Sequence, residues 1–212
     1  MNIKSILTHN FDISKTVVVS GKGPTSSLAV DQTEGKYVAV TTSVCDIFPR
    51  CDFVVSNDAE FLETNSLDNI DNLIVPIIIH RTVGGRAGVH DRLPKSEHYF
   101  YDILKDKGDF GVFTYRLFTQ NMSSFKNEST IEGGDDVLLP YLLSGYHTAL
   151  HWLCLVGFRN FEIYGISKNG GYNNETINQK VPKQLRSRAF FEQNYQMGID
   201  ILTKNNCNYI IN

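Results

Sequence analysis

The stretch Thr16–Leu28 reads TVVVSGKGPTSSL and is the most informative part of the chain. Its three consecutive valines are typical of a strand that is buried on both faces. Gly21 and Gly23 follow that strand with one residue between them. Glycines at this spacing let backbone N–H groups approach an anion closely, and the hydroxyl-rich segment after them is a candidate helix start. The pattern indicates a phosphate-binding strand–loop–helix unit, with an ordinary tight turn as the alternative.

This loop matches neither of two common phosphate-binding motifs. A Walker A loop needs a lysine followed by Ser or Thr at its far end, and the dinucleotide fingerprint needs a third glycine where Ser26 stands. The candidate nucleotide-binding residues of the loop are Gly21, Lys22, Gly23, Pro24, Thr25 and Ser26.

Short apolar segments alternate with helical stretches along the rest of the chain. The pattern predicts strands at 16–20, 37–41, 53–56, 73–79, 161–164 and 208–211. It predicts helices at 144–156, with Ser144 as N-cap and Gly157 at the end, and at about 185–203. This alternation indicates an α/β fold with a mostly parallel sheet flanked by helices. The segments 80–110, 121–136 and 168–179 are interpreted as loops.

The composition narrows the class of protein. The chain has 212 residues, 42% of them hydrophobic, which favours one globular domain over 1–212 with insertions inside 80–136. A net charge of −3 argues against nucleic-acid binding through bulk charge alone. The four cysteines form no CxxC pair, so we expect free thiols rather than a zinc ribbon. We find no long apolar run, which predicts a soluble, cytoplasmic protein without a membrane span. The oligomeric state is left open.

Polar residues follow several predicted strands, where open α/β sheets bind ligands. Thr42 comes after the second strand, and Asn57 and Asp58 come after the third. Capping of a following helix explains Asn57 and Asp58 equally well. Ser144 and Gly145 begin the clearest helix, whose first N–H groups suit an anion.

That helix also carries His147, His151 and Cys154 on one face. Their spacing is compatible with zinc binding, but the sequence offers no obvious partner ligand. A packed, hydrogen-bonded pair of histidines is the favoured interpretation.

Three segments together resemble the bacterial sialyltransferases of glycosyltransferase family 42. They are Val18–Leu28 (VVSGKGPTSSL), Phe53–Phe61 (FVVSNDAEF) and Leu143–Ser167 (LSGYHTALHWLCLVGFRNFEIYGIS). The resemblance implies a Rossmann-like domain with a lid-like insertion. It also implies a nucleotide-activated sugar as substrate, CMP-sialic acid in the family, with no cofactor and no essential metal. In that comparison the Gly21–Ser26 loop lines the nucleotide and Asn57 touches the donor. Ser144 and Gly145 hold the phosphate, and Gly165 and Ile166 shape the nucleotide pocket.

The chain departs from the family at three positions. Ser167 replaces an acidic residue, and Asn169 replaces a tyrosine, which leaves Tyr172 as the counterpart that serves the leaving phosphate. The segment 182–188 lacks the histidine that serves as base in the family. Other candidates must fill these roles. They are His90 and Asp91 as base, with His80 as a further candidate, and Arg186 and Arg188 as a cationic clamp on the phosphate.

The leading hypothesis is therefore a glycosyltransferase that moves a sugar from a nucleotide donor to a hydroxyl acceptor. A glycan acceptor is slightly favoured over a hydroxymethylated base in DNA, whose phosphates the basic segment 80–95 would contact. Two alternatives remain. One is an enzyme resembling archaeal pterin diphosphokinases, with ATP and a metal held by Asp135–Asp136 or Asn57–Asp58. The other is a nucleotide-binding module without catalysis.

Overall fold

The computed structural model describes residues 11–55, 68–76, 111–117, 130–132, 136–139, 144–168 and 188–212. Within these ranges one sheet of nine strands has the order β6-β7-β5-β4-β3-β2-β1-β8-β9. The strands are β1 (Val17–Ser20), β2 (Tyr37–Thr41), β3 (Phe53–Val55), β4 (Asn72–Pro76), β5 (Gly111–Leu117), β6 (Thr130–Glu132), β7 (Asp136–Leu139), β8 (Asn160–Tyr164) and β9 (Asn208–Ile211). All neighbouring pairs are parallel except β6 with β7. The predicted α/β class with a mostly parallel sheet is confirmed.

The strand order reverses direction at β1. The chain places β2 to β5 on one side of β1, and it later places β8 and β9 on the other. In the register of β1 with β8, Ser20 lies beside Tyr164. The loops that begin at Gly21 and Gly165 therefore leave the same edge of the sheet side by side. Such a switch point is where open parallel sheets bind ligands.

Strand β1 is buried on both faces, as its valines predict. Val17 and Val19 pack into one apolar cluster and Val18 into another, and all three are fully buried. The first cluster contains residues of the α-helices. The second contains Ala29 and Val44, which belong to the 3₁₀ segments Pro24–Gln32 and Thr42–Ile47. The sheet is thus covered on both sides at its centre.

Helix α1 (Gly145–Val156) follows Ser144 as predicted and ends at Gly157. Gly157 has a left-handed φ of 115°, and its N–H donates to the carbonyls of Leu153 and Cys154. The helix is buried on all sides, because every residue from 146 to 154 is buried. The helix lies between the sheet and helix α2 (Arg188–Lys204). Among the described residues no helix is both long and apolar enough to span a membrane.

Two local predictions differ from the structure. The segment 121–136 was expected to be a loop, but Thr130–Glu132 forms β6 and Asp136 begins β7. A three-residue edge strand carries too little periodicity to be recognised, and its partner strand determines its conformation. The segment after Gly23 is a 3₁₀ helix, in which Thr, Ser, Val and Asp give little support for a longer α-helix.

Helix α2 packs closely on α1 at a glycine. A Cβ added to Gly198 would overlap the Tyr146 hydroxyl and lie 2.9 Å from its Cε1. Tyr146 is only 4% exposed, so its ring has little room to move aside. Gly198 is therefore required for the distance between the two helices.

We expect Gly198→Ala to lower the free energy of unfolding by about 1–3 kcal/mol, as overpacking in a core does. At an open helical position the same change stabilises a protein by up to about 1 kcal/mol. Urea unfolding of wild type and Gly198→Ala measures the change in the free energy of unfolding. Thr203→Ala, at an exposed position of the same helix, is the control. A stabilised Gly198→Ala variant would contradict this packing.

Candidate functional site

The loops after β1 and β8 are in direct backbone contact at the switch point. Gly21 N–H donates to the Tyr164 carbonyl at 3.0 Å, and Gly23 N–H donates to the Gly165 carbonyl at 2.7 Å. A Cβ on Gly23 would lie 2.5 Å from the Gly165 carbonyl oxygen, and a Cβ on Gly21 would lie 2.8 Å from the same atom. Gly165 itself has a left-handed φ of 68°. Side chains at these positions would push the loops apart, which explains the three glycines.

This contact changes the interpretation of the Gly21–Ser26 loop. The N–H groups of Gly21 and Gly23 bond to the β8 side, and Ser26 N–H donates to the Gly23 carbonyl at 3.1 Å. The expectation that the N–H groups of Gly21 and Gly23 face an anion is therefore wrong for this conformation. These two residues fit the alternative of a tight turn. Their van der Waals contact with a nucleotide stays a prediction.

Thr25 connects three parts of the chain through its hydroxyl. The oxygen accepts from Gly165 N–H at 2.8 Å, and the hydroxyl donates to the Asn212 carbonyl at 3.0 Å. Its proton is thus already committed to the end of β9, and Thr25 has a structural role here. Asn212 gave no signal in the sequence, because this bond joins residues 187 positions apart.

Other residues of the loop differ in exposure. Pro24 is exposed and Lys22 is half-buried. Ser26 is fully buried, and its Oγ has no hydrogen-bond partner in the described part of the chain. A buried hydroxyl without a partner is costly, so Ser26 is a candidate for a hydrogen bond with a ligand.

The N-terminus of α1 lies against the carboxyl ends of β2 and β3. A Cβ on Gly145 would be 3.5 Å from Thr41 Cγ2 and 3.8 Å from the Val55 carbonyl oxygen. The first turn bond of the helix runs from His147 N–H to the Ser144 carbonyl at 3.1 Å. The N–H groups of Gly145 and Tyr146 precede it, at the positive end of the helix dipole. This end of the helix is therefore a candidate anion-binding position.

Thr41 provides a buried hydroxyl in addition to that of Ser26, and Thr41 lies beside Gly145. It is 7% exposed, and its Oγ1 has no hydrogen-bond partner among the residues that the structure describes. Thr42 follows Thr41 and was predicted to bind the donor. It begins the next 3₁₀ segment, and the structure does not describe its side chain.

Ser144 occupies the N-cap position but bonds to a histidine rather than to the helix backbone. Its Oγ is 3.1 Å from His147 Nδ1, and His147 Nε2 is 2.9 Å from the Asn194 carbonyl oxygen. Because a carbonyl only accepts, Nε2 carries the proton, and the neutral ring accepts at Nδ1. Burial lowers the pKa of His147 to about 4, so the ring is neutral at pH 7. Ser144 therefore donates its proton to His147. The i,i+3 spacing was the available sequence signal for this pair.

The same bonds bear on the spacing of His147, His151 and Cys154. Both ring nitrogens of His147 are engaged, and Cys154 Sγ lies 3.6 Å from Cys207 Sγ. No group of three potential ligands occurs among the described residues. The packed interpretation is confirmed for His147. His151 is also buried, at 3% exposure, but its Nδ1 lacks a partner in the described part of the chain.

Of the other predicted site residues, Gly165 meets the β1 loop and Ile166 is half-buried against the apolar core. Arg188 begins α2 and bonds to Glu192 at 2.9 Å on the exposed surface. Nothing in that pairing directs it to the switch point, so its role as a clamp stays a prediction. The other predicted site residues lie outside the described residues: Asn57, Asp58, His80, His90, Asp91, Tyr172 and Arg186.

Comparison with known protein families, curated proteins and solved structures gave no match to this chain. The resemblance to sialyltransferases rests on the residues alone.

We expect Thr25→Val to lower the free energy of unfolding by about 1–3 kcal/mol, because Gly165 N–H and the Asn212 carbonyl both lose their partner. Thr25→Ser keeps the hydroxyl and serves as the matched control. Urea unfolding compares the two variants. Equal stability of the valine and serine variants would show that these hydrogen bonds contribute nothing.

Acidification is expected to destabilise the fold. Burial lowers the pKa values of His147 and His151 from 6.5 to about 4. Between those values the unfolded chain binds more protons than the folded one, so stability falls as the pH drops from 6.5 to 4. Each pKa unit is worth about 1.4 kcal/mol at most. In urea unfolding at a series of pH values, His151→Gln should show a shallower pH dependence than wild type. An unchanged slope in the variant would refute this role for His151.

Proposed function

We propose that this chain is a glycosyltransferase that moves a sugar from a nucleotide donor to a hydroxyl acceptor. The observation that supports it most is the position of the α1 N-terminus against the ends of β2 and β3. Parallel sheets bind nucleotides at this edge, and helix N-termini bind their phosphates. The proposal includes one Rossmann-like domain over 1–212, with a lid-like insertion within 80–136.

The phosphate of the donor binds to the N–H groups of Gly145 and Tyr146. Ser144 does not contribute a proton to that phosphate, because His147 Nδ1 accepts it at 3.1 Å. The Ser144 oxygen instead accepts a hydrogen bond from a hydroxyl of the donor. The hydroxyls of Ser26 and Thr41 are buried and without partners in the described part of the chain, which suits them to donate to the same ligand.

Transfer breaks the bond between the sugar and the phosphate and forms a bond to the acceptor oxygen. Negative charge grows on the departing phosphate, and the positive end of the α1 dipole stabilises it without a metal ion. Arg186, Arg188 and Tyr172 are the proposed further contacts to this phosphate. His90 or Asp91 removes the acceptor proton. These roles come from the sequence and its family resemblance.

The acceptor is proposed to be a glycan, with a hydroxymethylated base of DNA as the alternative. The basic segment 80–95 would contact an anionic acceptor in either case. Incubation with nucleotide sugars and each acceptor class, followed by mass spectrometry, distinguishes the two through the mass added to the acceptor.

A thermal-shift panel of CMP, UDP, GDP and ATP, each with and without magnesium, tests the nucleotide class. A ligand at about 100 times its Kd adds about 2.7 kcal/mol of stability, which raises the Tm by several degrees. We expect CMP or UDP to stabilise the chain in the absence of magnesium. Stabilisation by ATP with magnesium alone would contradict the transferase and favour the diphosphokinase alternative. Nucleotide binding without turnover over a broad set of acceptors would favour the alternative of a nucleotide-binding module without catalysis.

Gly145→Asp is expected to abolish the nucleotide-dependent Tm shift. The nearest atoms to an added Cβ are 3.5 Å away, so the fold accommodates the side chain, and an acidic residue in the first turn is favourable for the helix. The carboxylate nevertheless repels a phosphate at the same N–H groups. Gly145→Asn has nearly the same shape without the charge, so it should keep most of the shift. Equal shifts in the two variants would exclude this binding mode.

A further inference from the structure

Two thiols face each other at the end of the molecule opposite the candidate site. Cys154 lies in the last turn of α1, and Cys207 directly precedes β9. Their Sγ atoms are 3.6 Å apart, and neither thiol forms a disulfide. Nine residues of helix separate Cys154 from Gly145, which places the pair roughly 14 Å from the α1 N-terminus. The pair is therefore independent of the proposed nucleotide site.

The two thiols differ in their surroundings. Cys154 is buried at 4% exposure, whereas Cys207 is half-buried. A hydrogen bond from the Cys154 thiol, together with the positive charge of Arg159, lowers the pKa of Cys207. The same hydrogen bond, together with burial, raises the pKa of Cys154. Arg159 is held near the pair because its guanidinium donates to the Cys154 carbonyl at 2.8 Å. Cys207 Sγ also lies 3.7 Å from the Asn205 carbonyl oxygen. Cys207 is the more exposed of the two thiols and the one whose pKa is lowered, so we expect it to react first.

We propose that Cys207 is a site of oxidation by peroxides and that it closes to a disulfide with Cys154. The Cys207 thiolate attacks one oxygen of hydrogen peroxide, which forms a sulfenic acid and releases hydroxide. The Cys154 sulfur then attacks the sulfenic sulfur, so that the S–S bond forms, the S–O bond breaks and water leaves. In total, two thiols and one hydrogen peroxide give one disulfide and two waters.

Closure of the disulfide requires a small movement of the two sulfurs. A disulfide needs a sulfur separation of about 2 Å, so the two atoms must approach by about 1.5 Å. Cys207 follows a turn in which Asn206 has a left-handed φ of 53°, and the Cys207 N–H donates to the Leu202 carbonyl at 3.0 Å. Cys207 precedes β9 and is not among the residues that pair with β8. The bond would join α1 to β9 across 53 residues.

The other two cysteines provide internal controls. Cys45 and Cys51 are fully buried, and burial raises the pKa of both thiols, that of Cys51 to about 12. Neither forms a reactive thiolate near neutral pH, so we expect both to remain reduced while the Cys154–Cys207 pair reacts.

The test uses the full-length chain treated with increasing hydrogen peroxide, followed by alkylation under denaturing conditions and peptide mass spectrometry. We expect a loss of about 2 Da per chain and a peptide that joins Cys154 to Cys207 and disappears after dithiothreitol. The oxidised chain should melt roughly 5 °C or more above the reduced one, because a long loop is closed. Cys45 and Cys51 should be fully alkylated.

Cys154→Ser leaves Cys207 without a resolving thiol, so oxidation should stop at sulfenic acid or continue to sulfinic acid in that variant. Cys45→Ser should behave as wild type. The proposal is overturned if wild type accumulates sulfinic acid at Cys207 without a cross-link, if Cys45 or Cys51 reacts first, or if peroxide changes none of the four thiols.

Discussion

The backbone contact between the loops after β1 and β8 is the constraint on which the rest of the site depends. Gly21 and Gly165 approach so closely that neither tolerates a side chain, and Gly23 donates to the Gly165 carbonyl at 2.7 Å. Thr25 extends this contact to the end of β9 through its hydroxyl. At the switch point, the loops after β1 and β8 are therefore in contact with each other at the carboxyl edge of the sheet. The N-terminus of α1 lies beside Thr41, and we propose that the anion binds there.

Helix α1 is the second element that organises the molecule. Its apolar residues fill the layer between the sheet and α2, so the helix is held rigidly in place. Its polar N-terminus is held by two hydrogen bonds, one from Ser144 to His147 and one from His147 to the Asn194 carbonyl. Burial keeps the imidazole neutral, and the Asn194 carbonyl fixes its tautomer and therefore the direction of the Ser144 proton. A histidine whose spacing was compatible with zinc binding thus orients a serine.

The features that depend on local sequence were predictable, whereas those that depend on distant partners were not. The valines of β1 and the Ser144 and Gly157 boundaries of α1 identified their elements correctly, because burial and capping are encoded within a few residues. Strand β6 was missed because three residues form a strand only when β7 pairs with them. Strands β5 and β7 were not predicted either. The Gly21–Gly23 pattern was ambiguous for a physical reason: close approach of a phosphate and close approach of another loop both require glycine. Only the position of Gly165 distinguishes the two.

The central claim is that a donor phosphate binds to the first N–H groups of α1 and not to the glycine loop. A crystal structure of the chain with bound CMP or UDP tests it most directly. Phosphate oxygens within about 3 Å of the N–H groups of Gly145 and Tyr146, with the Gly23–Gly165 bond intact, are the predicted result. A phosphate bonded to Gly21 and Gly23 N–H, with the two loops separated, would contradict it.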